Sequence, residues 1–172
     1  MGNQDKQLEQ NKEEEPRSLL SRSLLTGFIG GVVFGFFGIV LYYFNFSEVT
    51  PRSYLLRSWT SEEWTERWHG YALTIVLTGL LSIGVAFIYY VFFKKMETFV
   101  MGAVYGLILW GIVFYLLQPI FSNVPPLVDL NVYTIVSTIC LYIIYGTFIG
   151  YSISYDYNDT LHQLKASKGE QG

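Results

Sequence analysis

Cysteine is almost missing from this sequence: Cys140 is the only one in 172 residues. A disulfide within the chain is therefore excluded, and so is a metal site built on spaced cysteines. Cys140 lies inside an apolar stretch, where the expected role is that of a small buried hydrophobe rather than a reactive thiol. Histidine is equally scarce. His69 reads as an interfacial residue beside Trp68, and His162 as a solvated one. Neither has partners in the sequence that would let it hold a metal. Charge is low, at 15% of residues, against ~25% in soluble domains. The net charge of −3 leaves no basic footprint for nucleic acid. Paired carboxylates, an HExxH run, a Ser–His constellation and a phosphate loop are all missing. The expectation is a chain that is not an enzyme, with no catalytic residue, no cofactor and no metal.

What the sequence has instead is grease and aromatic rings, 51% hydrophobic and 18% aromatic. Four uncharged stretches stand out, at about residues 23–46, 70–93, 98–120 and 131–155. Each supplies the ~20 residues that cross a ~30 Å hydrocarbon core at a rise of ~1.5 Å. They are continuously apolar rather than alternating, which selects helices over barrel strands. The fold class expected is all-α: a polytopic membrane protein with a four-transmembrane-helix bundle and a short outer interfacial helix. Residues 1–22 read as a disordered polar tail and juxtamembrane segment, because "MGNQDKQLEQNKEEEP" has too little apolar surface to offset its ordering entropy. Residues 23–155 form the membrane domain, and 156–172 a short polar tail. The lipid bilayer is the first partner.

The basic residues orient the spans. Lys6, Lys12, Arg17, Arg22, Lys94, Lys95, Lys165 and Lys168 fall on one side, and Arg52, Arg57 and Arg67 on the other. By the positive-inside rule both termini and the Lys94–Lys95 turn are cytoplasmic, in a multi-pass protein of the bacterial plasma membrane. The "KKME" turn is short enough to make the second and third spans antiparallel neighbours. The outer loop between the first two spans carries Thr60 and Glu63 at capping-box spacing. Trp64 and Trp68 follow four apart, with Trp59 just upstream. Tryptophan prefers the headgroup zone, so Trp59, Trp64 and Trp68 mark a short helix on the outer leaflet or a docking face for an outside partner.

Glycine is abundant where a soluble helix would avoid it, since it costs ~1 kcal/mol against alanine. On a helical wheel Gly27, Gly31, Gly35 and Gly38 share an arc of about 80°. Gly102 with Gly106, and Gly146 with Gly150, repeat the GxxxG spacing, and Thr78, Ser82 and Ala86 make a small-residue stripe on the second span. Lipid does not push helices together, so close packing must hold them, and small residues permit it. These glycines are the expected packing surfaces, toward another helix of this chain or of a second copy. Within the spans the polar atoms are hydroxyls and amides. Thr and Ser can bond back to their own helix. Trp110 needs an acceptor for its indole N–H, which a span hydroxyl would supply. Gln118, before Pro119, is placed to cap carbonyls at the outer rim. Tyr42 and Tyr43 at the outer ends, and Tyr89, Tyr90, Tyr151, Tyr155 and Tyr157 at the inner ends, read as aromatic belts.

The stretches "LTGFIGGVVFGFFGIV", "SIGVAFIYYVFFKK", "GAVYGLILWGIVFYLLQPIF" and "LYIIYGTFIGYSISYDYN" together resemble the YqhR-type membrane proteins of Gram-positive, spore-forming bacteria. The resemblance runs from Leu24 to Asn158. It implies a small multi-span plasma-membrane protein and carries over no site residue. The function expected is structural or accessory, through interaction with other membrane proteins or self-association along the glycine-rich faces. The alternative is a small transporter or channel subunit, whose pore Thr74, Thr78 and Ser82 would line.

Overall fold

The structure is a computed structural model that describes residues 16–56, 68–96, 98–121 and 124–169, with side chains from 19 to 162. The described residues are helical or loop, with no strand among them. In chain order, α1 is Pro16–Tyr43, α2 is Pro51–Leu55, α3 is Trp68–Phe93, α4 is Phe99–Gly111 and α5 is Val132–Gly169. Among the described residues four segments are long and apolar enough to cross a membrane: Leu19–Tyr43, Trp68–Phe93, Phe99–Ile120 and Val132–His162. The four-span helical bundle expected from hydropathy is what the chain forms.

Each helix end has a local cause. α1 stops at Asn45, whose φ of 59° is left-handed. The Phe46 amide reaches back to the Leu41 carbonyl and the Asn45 amide to Tyr42, which closes the last turn. Asparagine tolerates this conformation better than other residues with a Cβ. α5 starts on Asn131, whose side-chain oxygen accepts from the Tyr133 amide at 3.1 Å, a helix N-cap.

The third span is not uniformly α-helical. After Gly111 it widens into a π turn over Ile112–Leu117, then tightens into a 3-10 turn over Gln118–Ile120. Pro119 explains this. It has no N–H for the Tyr115 carbonyl, and its ring crowds that same group. The ladder shifts instead of breaking.

α2 was not anticipated. Its cap is Thr50, whose hydroxyl accepts from the Ser53 amide while the Ser53 side chain faces the Thr50 amide. Pro51 supplies the first turn. The surface helix expected to start at Thr60–Glu63, and with it Trp59 and Trp64, falls in residues 57–67, outside the described residues. Trp68 opens α3 and is exposed.

Two ends of the bundle can now be named. The cap end holds α2, the end of α1 and the start of α5, where the Glu48 amide donates to Thr134 Oγ1 at 3.0 Å and the Asn131 amide to Glu48 Oε2 at 3.3 Å. The turn end holds residues 94–96, the start of α1 and the far half of α5. There Ser154 Oγ donates to the Met96 carbonyl at 3.0 Å, and Lys94 Nζ lies 4.3 Å from the Tyr90 ring and 5.3 Å from that of Tyr157. At 38 residues α5 is about 57 Å long, well beyond a ~30 Å hydrocarbon core. The segment expected as a separate tail from 156 is helical as far as Gly169.

Packing divides the four spans into two pairs, α1 with α3 and α4 with α5. α3 and α4 are joined by the tight turn, yet they meet through Tyr105, whose ring contacts Tyr89 and Phe93, rather than along their backbones. The lipid-facing surface carries Leu25, Ile29, Phe36, Leu80 and Leu81, all exposed. Cys140 corrects an expectation: it is exposed on this surface of α5, not buried. Hydrocarbon around the bundle is as apolar as a core, so an apolar stretch does not by itself bury a thiol against protein.

Candidate functional site

The glycines bring backbone against backbone inside each pair. A Cβ added to Gly27 would stand 2.9 Å from the Ser82 carbonyl oxygen, and one on Gly31 2.8 Å from Gly79 Cα. Gly35 faces Thr78 at 3.2 Å, and Gly38 faces Pro51 of α2 at 3.2 Å. The groove of α1 is thus filled by the Thr78–Ser82–Ala86 stripe of α3 and, at the cap end, by α2. In the second pair a Cβ on Gly102 would lie 2.8 Å from Thr147 Cα, one on Gly106 3.0 Å from Ile143 Cα, and one on Gly150 2.8 Å from Gly102 Cα. Gly146 abuts the Gly106 backbone. The two GxxxG runs interlock with each other.

Between the two pairs the glycines meet side chains, Gly30 against Ile149 and Gly150 against Tyr89, and hydroxyls supply the bonds. Tyr145 of α5 donates to Ser82 Oγ of α3, and Ser82 Oγ donates at 2.5 Å to the Gly27 carbonyl of α1. Tyr105 of α4 donates to the Val85 carbonyl at 2.7 Å. Tyr89 of α3 lies 3.5 Å from Ser154 Oγ of α5. Rings fill the rest of the seam, with Phe34 edge-on to Tyr145 at 5.4 Å and beside Phe148 at 6.0 Å. Ala86, Tyr89, Ile149 and Ile153 are fully enclosed here. Tyr89 therefore corrects its reading as a belt residue. A tyrosine near a span end satisfies the belt pattern and a core position equally, and only the neighbouring helix decides.

The hydroxyls that would line a pore are turned inward. Thr74 Oγ1 donates to the Gly70 carbonyl at 2.7 Å and Thr78 Oγ1 to the Thr74 carbonyl at 2.8 Å. With Ser82 on Gly27, all three lie under α1 or bonded to their own helix. Trp110 finds the acceptor it was expected to need: its indole N–H donates to Thr138 Oγ1 at 3.0 Å. Gln118 Nε2 donates to the Val124 carbonyl at 3.0 Å, bracing the loop after the span.

A second cluster closes the cap end. Val49, Phe114, Val124 and Leu130 are buried together, with Tyr54, Trp110, Phe121 and Tyr142 around them. Tyr54 reaches in from α2, edge-on to Phe114 at 6.0 Å and to Phe121 at 5.4 Å. Trp110 stacks on Phe114 at 5.3 Å. Burial pushes the Tyr54 phenol well above its ordinary pKa. Arg52, on the same short helix, is buried with its guanidinium 4.6 Å over the Tyr71 ring. The signal for this element is the Thr50–Ser53 spacing with Pro51 at the first turn.

At the turn end a groove of about 370 Å³ runs along α5, lined among the described residues by Tyr151, Ser154, Tyr155, Asn158, Asp159 and His162. Among the described residues no three His, Cys, Asp or Glu side chains are grouped to hold a metal ion.

Comparison with known proteins agrees with this architecture. The family described as "Conserved membrane protein YqhR" matches residues 3–168. The chain is 41% identical over 160 residues to "Uncharacterized protein YqhR" of Bacillus subtilis (strain 168), covering 90% of this chain and 89% of that one. No solved structure matches significantly. A family match across nearly the whole length, together with a relative 41% identical over 90% of the chain, places this chain in the YqhR family of conserved membrane proteins.

Proposed function

We infer that this chain is an accessory protein of the bacterial plasma membrane that acts by binding other membrane proteins or further copies of itself. One observation carries the reading. The glycine faces and the span hydroxyls are engaged within the chain, by neighbouring backbones and by cross-helix bonds. What the bundle offers to other molecules is therefore its outside. The eight packing glycines, Gly27, Gly31, Gly35, Gly38, Gly102, Gly106, Gly146 and Gly150, serve this role by making a stiff body rather than by meeting the partner. α5 is longer than a hydrocarbon core is thick, and its far half, fixed to the turn by Ser154 and Lys94, is the surface assigned to a partner.

The basic residues favour an orientation with the turn end in the cytoplasm. Lys94 and Lys95 lie in the turn, and Arg22 and the far half of α5 share that end. The cap end then faces outward. Crosslinking in native membranes followed by purification in mild detergent tests the function. The expected result is a discrete product of constant stoichiometry, of two copies or of this chain with one other membrane protein. A chain recovered only as a monomer overturns the reading. Reporter fusions at residue 95 and in the 57–67 loop test the orientation independently.

A further inference from the structure

α1 and α5 run antiparallel in a fixed register. Leu141 lies against Gly38, Tyr145 against Phe34 and Ile149 against Gly30, so each four residues down α1 match four up α5. The same step sets Leu19 beside Thr160, and both are buried. It brings Pro16, where α1 begins, level with α5 just past His162. His162 is the far end of the groove on α5, where Tyr151, Tyr155, Asn158, Asp159 and His162 share one helix face. The near end of that groove is an exposed ring stack, Tyr151 on Tyr155 at 6.0 Å. The turn lies level with Ser154 and Tyr157, so Asn158, Asp159 and His162 continue the groove beyond it.

We propose that residues 1–15 fold back along this groove and cover it. The groove is ~16 Å long from Tyr151 to His162, and the residues before Pro16 reach ~50 Å when extended. The segment therefore leaves α1 at one end of the groove with length to spare. Charge fits the same course. The segment carries Asp5, Glu9, Glu13, Glu14 and Glu15 against Lys6 and Lys12. Its three consecutive glutamates directly precede Pro16, at the level where Lys165 and Lys168 follow on α5, and Lys94 and Lys95 lie at the same end of the bundle. The groove's carboxylate, Asp159, is matched by Lys12. Leu8, with Met1 the only large apolar side chain of the segment, is within reach of the Tyr151–Tyr155 stack. A segment too poor in apolar groups to fold alone needs a ready-made surface on which to order. The covered face is the one assigned to a partner, so segment and partner compete for it; the competition rests on that reading, and the docking does not.

A nitroxide on Gln7→Cys, in a Cys140→Ala background, tests the docking by NMR on the full chain in zwitterionic nanodiscs. Docking holds the label against the groove. The Tyr155 and Asn158 amide signals are expected to fall to roughly half or less, and to recover when Glu13→Lys, Glu14→Lys and Glu15→Lys are combined. Full intensity in the labelled parent overturns the proposal. So does a loss that the three lysines leave unchanged, since a segment swinging freely from Pro16 passes the groove whatever its charge. Crosslinking in native membranes tests the covering. A chain lacking residues 1–15 is expected to give about twofold or more of the crosslinked product, and a yield that stays level overturns the covering. No product from either chain counts against the accessory reading alone, and the NMR result still decides the docking.

Discussion

Tyr145 and Ser82 share a hydrogen bond across the seam between the two helix pairs, and Ser82 relays it to the Gly27 carbonyl. Three helices thus meet at one serine oxygen. In lipid this arrangement acts as glue, since no hydrophobic effect drives the pairs together. A double-mutant cycle on Ser82→Ala and Tyr145→Phe is expected to give a coupling of about 0.6 kcal/mol, and no more than ~1.7 kcal/mol, typical of bonds between membrane helices. Unfolding in mixed micelles measures it. Additive losses would mean the two hydroxyls are not joined.

Some glycines face backbone, some, such as Gly35 and Gly38, face side chains, and some face nothing within 4 Å. Gly106→Ala and Gly146→Ala each force a methyl into the facing helix, and each is expected to cost about 1–3 kcal/mol. Gly84 has nothing within 4 Å of an added Cβ. Gly84→Ala is expected to leave stability level or raise it slightly, as alanine is the better helix former. Comparing the three melting curves in one detergent checks this ordering.

Thr138 holds the Trp110 indole and itself donates to the Thr134 carbonyl at 2.7 Å. Thr138→Val keeps the shape and removes the acceptor, leaving a half-buried N–H unmatched at a cost of about 1–3 kcal/mol. Thr138→Ser keeps the oxygen and is expected to stay within about 1 kcal/mol of the parent. Equal losses for the two would show that the methyl, not the hydroxyl, matters.

Alkali is expected to loosen the cap end. Burial raises the Tyr54 phenol above its ordinary value of 10.0. Because the folded pKa is the higher one, the cap's stability is complete below pH 10. It declines as pH climbs past that value, since the exposed phenol ionises while the docked one does not. The measurement is exchange at Ser53 and Leu56, corrected for intrinsic rate, between pH 8 and 11. Tyr54→Phe has nothing to ionise at this position and is expected to stay flat where the parent falls. A parent that stays flat as well would mean the phenol is not buried in solution.

Hydropathy alone was enough to establish the spans, because every backbone group in hydrocarbon must be bonded within its own helix. Length and apolarity suffice for that and are purely local. The small-residue spacing was also local, and it named the surfaces of α1, α4 and α5 that pack closely. The need of Trp110 for a hydroxyl followed from its chemistry. What the sequence left open was which surface meets which. The choice between pairing α1 with α3 or with a second copy is not written in either helix; it depends on both surfaces at once. Tyr89 illustrates the limit, since its position fits a belt until Ser154 and Gly150 are seen to close over it.

Segment by segment, then, the residues determined four membrane-crossing helices, their close-packing faces and the scarcity of chemical groups, since each of these depends on the energetics of a single helix in lipid. Only the tertiary structure decided the pairing, the hydroxyl seam and the insertion of Tyr54 between Phe114 and Phe121. Those contacts join residues far apart in the chain, as Phe34 with Tyr145 and Tyr54 with Phe121, and their free energy belongs to the fitted pair and to neither sequence alone.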